Sequence, residues 1–465
     1  MLVPLGLAYI ASVLENEGND IEIIDMNAEK VTDEHLQRRV SDADVVGITG
    51  MITEYQEVLR ITNIIKETNR HIKVVLGGPL ATTTPQELLQ ISQADFVVIG
   101  EGERTIADLV SAIKQGDNFA DIKGIGCKDG NQISITDRPE PIANLNIIPF
   151  PARHLLDMNR YVQNQFHSFS SKMEGFGEIK STNLITSRGC PYSCTFCFRD
   201  MWGYKWRGRS PENIVEEMEF LYAKYGINGF FFNDDTFVLD RNRVFEFCNL
   251  LKERKLNVVW FCNGRVNLMT KELLEAMYEA GCKEIAYGIE SGSQKMLNSL
   301  KKSITLEQVR NTVKWTKQAG ISANGYFMIG LPGETKEDIR QTIGFAEELD
   351  LGFYGFSLLT PLPGTELYNA AVEKGLIQAD MASLKDWAFN TNVNLTKDCS
   401  NEDLVAFKNE IFRKFTLKNF GKYYMFNPAF LKRATKVALS LQNINEAKDL
   451  ARKTKGIIQS YWHKA

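Results

Sequence analysis

Residues 188–197 read Arg-Gly-Cys-Pro-Tyr-Ser-Cys-Thr-Phe-Cys. Three thiols therefore stand at the spacing C-x3-C-x2-C in one short loop, and they belong to Cys190, Cys194 and Cys197. A structural zinc ion would need a fourth ligand, which neither His154 nor His167 is spaced to supply. Three thiolates suit an iron–sulfur cluster with one iron left open, where a substrate or cofactor can bind. We therefore expect a catalytic metal site with these three ligands.

Short apolar runs alternate with helical patterns on both sides of this loop, which is typical of parallel β/α folds. Before the loop, the predicted strands cover 21–24, 45–48, 74–76 and 96–99. From the strand before the loop onward, they cover 183–186, 229–232, 258–261, 284–287, 325–328 and 355–358. The expected fold class is α/β, with an N-terminal Rossmann-like, doubly wound sheet followed by a partial (β/α)6 TIM-type barrel and a helical C-terminal segment.

Changes of composition divide the chain into four predicted segments. These are a first domain over 1–140, a linker rich in proline over 141–180, the barrel over 181–385 and the helical segment over 386–465. Residues 401–465 hold 13 Lys and Arg against 5 Asp and Glu. Such a segment is either a solvated helical face or a surface that touches an anionic membrane or covers an anionic substrate.

The overall composition is that of an ordinary globular protein, with 44% hydrophobic and 24% charged residues among 465. A net charge of −4 argues against a globally basic nucleic-acid binder. Eight cysteines are too few for a disulfide scaffold of this length. No apolar run is long enough to span a bilayer and the N-terminus lacks a signal-peptide pattern, so we expect a cytoplasmic protein. From the net charge we expect no nucleic-acid partner.

Turn residues follow three strands of the first series, at the sheet edge where open α/β folds bind ligands. The three groups are Thr49 and Gly50, then Gly77, Gly78 and Pro79, and finally Gly100, Glu101, Gly102 and Glu103. One such turn alone would be mostly structural. Three at the same edge predict a large ligand.

The cysteine loop, with Phe196 directly before its last thiol, resembles the signature of the radical S-adenosylmethionine (SAM) superfamily. The motifs at 288–292 (Gly-Ile-Glu-Ser-Gly) and 330–334 (Gly-Leu-Pro-Gly-Glu), which follow predicted strands, agree with it. The resemblance covers about residues 182–376 and implies that the three cysteines hold a 4Fe-4S cluster whose open iron takes the amino and carboxylate groups of SAM. It also implies SAM contacts by Phe196, Glu290, Ser291, Gly325 and Gly330.

Several side chains near this loop have two interpretations. Arg265 pairs either with SAM's carboxylate or substrate, or with a surface acid. Asp234 and Asp235 are either site residues or acids at a helix start. Aromatic residues that follow the loop form either a cofactor wall or ordinary packing, and these are Trp202, Tyr204 and Trp206. The other five cysteines are expected to be buried packing residues.

The first domain resembles the cobalamin-binding domain that precedes the barrel in one large branch of this superfamily. The matching stretches are 4–9, 46–50, 77–79 and 100–103. No Asp-x-His-x-x-Gly motif is present, which implies a cobalamin without a histidine lower ligand. In the family a strand precedes the helix that begins near Pro4, so we expect the first strand to be missing from this sheet. The resemblance assigns cobalamin contacts to the three turn groups given above.

These resemblances lead to a functional hypothesis with two alternatives. The first is a cobalamin-dependent radical SAM methyltransferase that acts on an unactivated carbon of a small-molecule or lipid-like substrate. Flavodoxin or ferredoxin would be its electron donor, and the basic C-terminal segment would allow peripheral membrane contact. The second is an anaerobic oxidative cyclase of the kind that acts on tetrapyrroles. The third belongs to a different functional class and is a cobalamin-binding regulator with a non-catalytic barrel.

Overall fold

Two large β-sheets organise the described residues, one of five strands near the N-terminus and one of six strands between residues 181 and 358. The computed structural model describes residues 2–130, 132–163, 172–173, 177–377 and 393–416.

The first sheet has five strands and is flanked by seven helices. The helices are α1 (Leu5–Asn16), α2 (Met26–Glu29), α3 (Asp33–Val40), α4 (Tyr55–Thr68), α5 (Gly78–Thr83), α6 (Pro85–Ile91) and α7 (Gly102–Gln115). The strands are β1 (Val45–Thr49), β2 (Lys73–Gly77), β3 (Phe96–Val98), β4 (Ile125–Asp129) and β5 (Gln132–Ile135). The first three strands are parallel, whereas β4 and β5 add an antiparallel hairpin beside β3.

Residues 21–24 form no strand, contrary to the prediction from sequence. Ile23 is buried in the large core that also contains the barrel's apolar residues, and Ile21 packs against it. The apolar run therefore reflects burial of side chains. Among the strand pairings of the described residues, none includes this segment.

The barrel follows a short connecting region. That region holds α8 (Met158–Gln163) and the antiparallel strands β6 (Lys172–Met173) and β7 (Gly177–Glu178). The later strands are β8 (Ser181–Leu184), β9 (Ser187–Arg188), β10 (Arg207–Gly208), β11 (Gly229–Phe232), β12 (Val259–Gly264), β13 (Cys282–Glu290), β14 (Ser322–Ile329) and β15 (Phe353–Leu358). The later helices are α9 (Pro211–Tyr225), α10 (Arg241–Glu253), α11 (Lys271–Glu279), α12 (Gln294–Ser299), α13 (Leu306–Gln318), α14 (Lys336–Leu349), α15 (Glu366–Glu373) and α16 (Asn401–Ile411).

Six of these strands form one sheet in the order β8, β11, β12, β13, β14 and β15, and every neighbouring pair is parallel. Each lies within a few residues of its predicted position. Because all six run the same way, their carboxyl ends meet at one edge and gather the loops that follow them.

Alternate strand residues pack outward against the helices. Phe232 and Trp260 stack with ring centroids 5.4 Å apart, and Phe237 and Phe247 complete this aromatic cluster. Helix α9 begins as its Ser-Pro sequence suggests, since Ser210 Oγ accepts a hydrogen bond from the N–H of Asn213 at 3.2 Å. This layer leaves the opposite strand face free to line the barrel's interior.

The end of the chain is described only in part. Helix α16 agrees with the predicted helical segment, but residues 378–392 and 417–465 lie outside the described part, and with them most of the basic segment. In the described ranges, no helix has both the length and the apolar character needed to cross a membrane.

Candidate active site

The cysteine loop is closed at its base by the two-stranded ladder of β9 and β10, in which Arg188 pairs with Arg207. Gly189 follows β9 with φ of +83°, and a Cβ there would lie 2.5 Å from the carbonyl oxygen of Lys205. Only glycine fits this close approach without displacing backbone. The loop therefore leaves the strand at a fixed angle, at the carboxyl edge of the barrel sheet.

The three thiols differ in their surroundings. Cys190 is half-buried, Cys194 is buried and Cys197 is exposed, and all three are free. A hydrogen bond from the Cys197 thiol, assisted by Lys302 and Arg265, lowers the pKa of Cys194 to about 5. The same shared proton raises the pKa of Cys197. The pair therefore holds one thiolate readily, and this is the form that binds iron.

Arg265 lies directly on this pair. Its Nη1 donates to Sγ of Cys194 at 3.7 Å, and its guanidinium stacks 3.5 Å from the ring centroid of Tyr192. Its Nη2 donates to the carbonyl oxygen of Lys302. Of the two interpretations of Arg265, the structure thus supports a position inside the site, because the side chain is buried against the cysteines.

The donor set fits a cluster better than a single ion. In the part of the chain that the structure describes, no three His, Cys, Asp or Glu side chains converge as one metal ion requires. A cluster makes a different demand, because each thiolate binds a separate iron. Three thiols on one loop, with two cations beside them to offset negative charge, meet that demand.

Glu290 and Lys302 form a buried ion pair next to the cysteines. Nζ of Lys302 lies 2.7 Å from Oε1 of Glu290 and 5.7 Å from the ring centroid of Phe196. Glu290 ends β13 with φ of +70°, at a register shift in the pairing with β14. A Cβ at Gly288 would lie 2.4 Å from Oε1 of Glu290, so this glycine makes room for the pair. The strained backbone turns the carboxylate back over the strand.

The position of Lys302 in the site was not predicted from the sequence. Its nearest signal is the Lys-Lys-Ser sequence between two helical patterns, which gives no reason to prefer it over Lys301. The structure separates the two lysines clearly, since Lys301 is exposed and pairs with Glu366 at 2.8 Å.

The other residues predicted to contact SAM lie close by in different settings. The Ser291 hydroxyl is 3.0 Å from that of Thr342 and accepts from the N–H of Ser293 at 3.1 Å, so its polar atom is already engaged. A Cβ at Gly325 would lie 2.4 Å from Leu351, which places this glycine against the helix layer. Gly330 has φ of +83° and donates its N–H to Glu334 at 2.7 Å. Their SAM contacts stay predictions.

The two acids after β11 differ in their surroundings, since Asp234 is buried and Asp235 is exposed. The Asp234 carboxylate accepts from the Thr186 N–H at 2.6 Å and from the Ser187 hydroxyl at 2.7 Å, so it braces the approach to the cysteine loop. Thr236 lies deeper in the site, with Oγ1 3.6 Å from Sγ of Cys190. Trp206 donates Nε1–H to the Thr236 carbonyl at 3.2 Å and therefore packs beneath the loop.

The first sheet presents a glycine-rich edge. Thr49 and Gly77 end neighbouring strands in register, and Thr49 is exposed. Gly78 has φ of +78°, and a Cβ on it would lie 2.3 Å from Oγ1 of Thr49. Nothing lies within 4 Å of a Cβ built on Gly77. This open edge, flanked by Gly50, Pro79, Gly100 and Gly102, fits a large flat cofactor such as cobalamin.

Glu101 and Glu103 have other partners. Glu103 pairs with Arg188, and Glu101 pairs with Arg207 and accepts from the Ile142 N–H at 3.0 Å. Both carboxylates are buried, and the Arg188 guanidinium also lies 4.4 Å from the ring centroid of Trp202. These acids join the amino end of α7 to the β9–β10 ladder, and a contact with cobalamin stays a prediction for them.

The cysteine loop also touches the glycine-rich edge directly. A Cβ on Gly100 would lie 3.9 Å from the Met201 carbonyl oxygen, and Thr82 Oγ1 is 3.6 Å from the sulfur of Met201. The sites predicted for the cluster and for cobalamin therefore share a boundary.

Known proteins match both halves of the chain. Residues 184–346 match the family model described as Radical SAM superfamily, and residues 2–110 match that of the B12 binding domain. An uncharacterized methyltransferase of Pyrococcus horikoshii is 37% identical over 80% of this chain and 79% of its own length. The anaerobic magnesium-protoporphyrin IX monomethyl ester cyclase of Rubrivivax gelatinosus is 28% identical over 80% of this chain and 66% of its own length.

A solved structure shares the arrangement of the domains. The radical SAM methyltransferase TsrM from Kitasatospora setae, with cobalamin and a [4Fe-4S] cluster bound, superposes with a TM-score of 0.67 at 22% identity. The match covers 80% of this chain and 72% of that chain. At this identity the likeness concerns the fold, and it confirms the predicted fold class.

Proposed function

The chain belongs to the cobalamin-binding branch of the radical SAM superfamily, and on this premise we propose that it is a cobalamin-dependent methyltransferase acting on an unactivated carbon. Its cofactors are those of the family: a 4Fe-4S cluster, SAM and cobalamin. When bound, they supply an electron for reductive cleavage of the SAM sulfonium and a transferable methyl group. Binding, orientation and the exclusion of water are the tasks of the chain's own residues.

One observation carries the proposal. The cysteine loop and the glycine-rich edge of the first sheet lie against each other, through Met201 and the pair of Arg188 with Glu103. A substrate between them would reach both cofactors without leaving the protein. Such proximity replaces a second diffusive encounter by a positioned one.

The chain's residues near the cysteines are suited to hold SAM. Cys190, Cys194 and Cys197 would ligate the cluster. Lys302 offers a buried ammonium for SAM's carboxylate, and Glu290 offers a carboxylate for its amino group. Arg265 keeps the Cys194 thiolate partnered. Phe196 packs with the apolar group of Met296, Leu300, Leu331 and Leu359 and would border the adenine.

Water exclusion is the second task of these side chains. Cys194, Arg265, Glu290 and Lys302 are all less than 10% exposed. In such surroundings, charges interact more strongly than in solution, and reactive species are protected from quenching. A small-molecule or lipid-like substrate and a low-potential donor such as flavodoxin or ferredoxin complete the proposal.

Product analysis tests the methyl transfer. The reconstituted holoenzyme, given SAM, cobalamin and a reductant with candidate substrates, should convert SAM both to methionine with 5′-deoxyadenosine and to S-adenosylhomocysteine. The kinship with the cyclase of Rubrivivax gelatinosus favours ring closure as the second candidate. A cyclase would form deoxyadenosine and methionine without S-adenosylhomocysteine, and this result would overturn the methyltransferase proposal.

A further inference from the structure

The interior face of the barrel is defined by strand alternation. Ile285, Tyr287 and Ile289 of β13 belong to the core under the helices, as do Ala323, Phe327 and Ile329 of β14. The residues between them therefore face inward, and these include Glu284, Gly288, Asn324 and Tyr326. On β15, Tyr354 lies in the same outer core, so Phe353 and Gly355 face inward as well.

Tyr326 lies next to the Glu290–Lys302 ion pair. It stands opposite Gly288 in the β13–β14 register, and the pair lies over Gly288. On its other side, Tyr326 stands opposite Gly355 of β15. A Cβ on Gly355 would lie 2.4 Å from Cδ1 of Tyr326, so this glycine lets the ring lie flat across the neighbouring strand.

The Tyr326 ring is unusually open for its position. It belongs to a strand with neighbours on both sides, yet the residue is 47% exposed. Phe353 lies edge-on to it, with ring centroids 6.4 Å apart. An aromatic face is thus presented to the interior of the barrel, where stacking with another flat ring is favourable.

Two buried polar side chains, Asn324 and Glu284, lie on the same inward face as this ring. The Asn324 amide donates from Nδ2 to Oε1 of Glu284, and both residues are buried. Burial raises the pKa of Glu284 well above its ordinary value, which favours the uncharged form of this carboxyl. Oδ1 of Asn324 is buried and has no hydrogen-bond partner among the described residues. A buried acceptor in this state calls for a donor.

Cations lie at the other end of this inward face, beside the cysteines. The inward residues of β13, β14 and β15 named above include no lysine or arginine, whereas Lys302 and Arg265 lie beside the cysteines. Phosphate or carboxylate groups would therefore be poorly accommodated near Tyr326.

We propose that Tyr326, Phe353, Asn324 and Glu284 form the substrate subsite of the barrel, and that it binds an uncharged flat ring carrying an N–H donor. The ring stacks on Tyr326, and its N–H donates to Oδ1 of Asn324. This inference rests on the proposed function for the identity of the site, and it adds the chemical class of the substrate.

Binding of small probes to the anaerobically reconstituted holoenzyme tests the subsite. The probes are indole, 1-methylindole, which lacks the N–H, and phenyl phosphate, and the variants are Tyr326→Leu and Gly355→Ala. Tyr222→Leu is the matched control, because Tyr222 is similarly exposed (42%) but lies on the outer helix α9. Equilibrium dialysis under argon gives the dissociation constants.

We expect indole to bind about tenfold more weakly to both subsite variants and unchanged to the control. We expect 1-methylindole to bind the unaltered protein about five- to tenfold more weakly than indole, and phenyl phosphate more weakly still. Equal indole affinity in all proteins, or phenyl phosphate binding as tightly as indole, would overturn the subsite. Deoxyadenosine formation in the same preparations tests the proposed function separately. If SAM is cleaved but the probes bind all proteins alike, only the subsite is refuted. If the probes bind as expected but SAM is not cleaved, only the proposed function is refuted.

Discussion

The guanidinium of Arg188, two residues before the first cysteine of the loop, pairs with the carboxylate of Glu103 at the amino end of helix α7. Both side chains are buried; Glu103 lies on helix α7 beside the first sheet, and Arg188 lies in the β9–β10 ladder at the base of the cysteine loop. A buried pair broken on one side leaves a charge without compensation, which costs more than the intact pair contributes. This contact therefore holds the cysteine loop against the first sheet.

Replacement of Glu103 by Gln should destabilise the protein by about 2–3 kcal/mol, because Arg188 keeps its buried charge and loses its nearest anion, while Glu101 stays 3.6 Å from its Nη1. Urea or thermal unfolding measures the change. Glu366→Gln is the matched control, since Glu366 pairs with a lysine on the surface, and it should have no measurable effect. Equal stabilities of the two variants would contradict the role given to Arg188.

Loss of one loop thiol should remove the cluster. In Cys194→Ala, two thiols remain, and we expect most of the iron and acid-labile sulfide to be absent after anaerobic reconstitution. Cys248→Ala is the control, because Cys248 is equally buried but lies on α10 away from the loop. A Cys194→Ala protein with a full complement of iron would show that this thiol is not a ligand.

The two adjacent lysines offer a sharp test of SAM binding. Lys302→Gln should weaken SAM binding about tenfold, because a buried charge-assisted hydrogen bond is lost. Lys301→Gln removes the same charge one residue away, on the surface, and should leave the affinity unchanged. Equilibrium dialysis with labelled SAM distinguishes them. Similar losses in both variants would assign the effect to general electrostatics.

Glu334 makes stability depend on pH. Burial raises the pKa of its carboxyl to about 7, against the lowering effect of hydrogen bonds from the Leu331 and Gly330 N–H groups. Between about pH 4.5 and 7 the folded chain holds a proton that the unfolded chain releases, so stability falls as pH rises through this window, by up to about 3 kcal/mol. Glu334→Gln has no such proton.

Unfolding curves between pH 5 and 8 should therefore show the unaltered protein losing stability relative to Glu334→Gln as pH rises. Glu337→Gln, at an exposed position three residues on, should follow the unaltered protein. Parallel pH profiles for the unaltered protein and Glu334→Gln would contradict a protonated Glu334.

The sequence was most informative where function requires a fixed local pattern. Buried apolar runs and helix starts located all six barrel strands, and the cysteine spacing located the metal loop. The hairpin β4–β5 was not predicted, because its two strands are short and mix polar with apolar residues. The run at 21–24 was wrongly predicted as a strand, because burial of side chains and pairing of backbone leave the same apolar signal.

Partners far apart in the chain were beyond prediction. Glu101 and Glu103 follow a strand in a motif typical of ligand turns, but the arginines that they bind come 85 or more residues later. Lys302 reaches Glu290 only through the turns that follow α12. The buried hydrogen bond between Asn324 and Glu284 depends on the register of β13 with β14, which no single segment encodes.

The proposed function depends on one reaction, the cleavage of SAM at a cluster held by the cysteine loop. The most direct test is the formation of 5′-deoxyadenosine by the anaerobically reconstituted protein, given SAM and a strong reductant. We predict that the unaltered protein forms deoxyadenosine and that Cys194→Ala forms none. If the unaltered protein, with its cluster intact and reduced, forms no deoxyadenosine, it does not cleave SAM in this way and the proposed function is wrong.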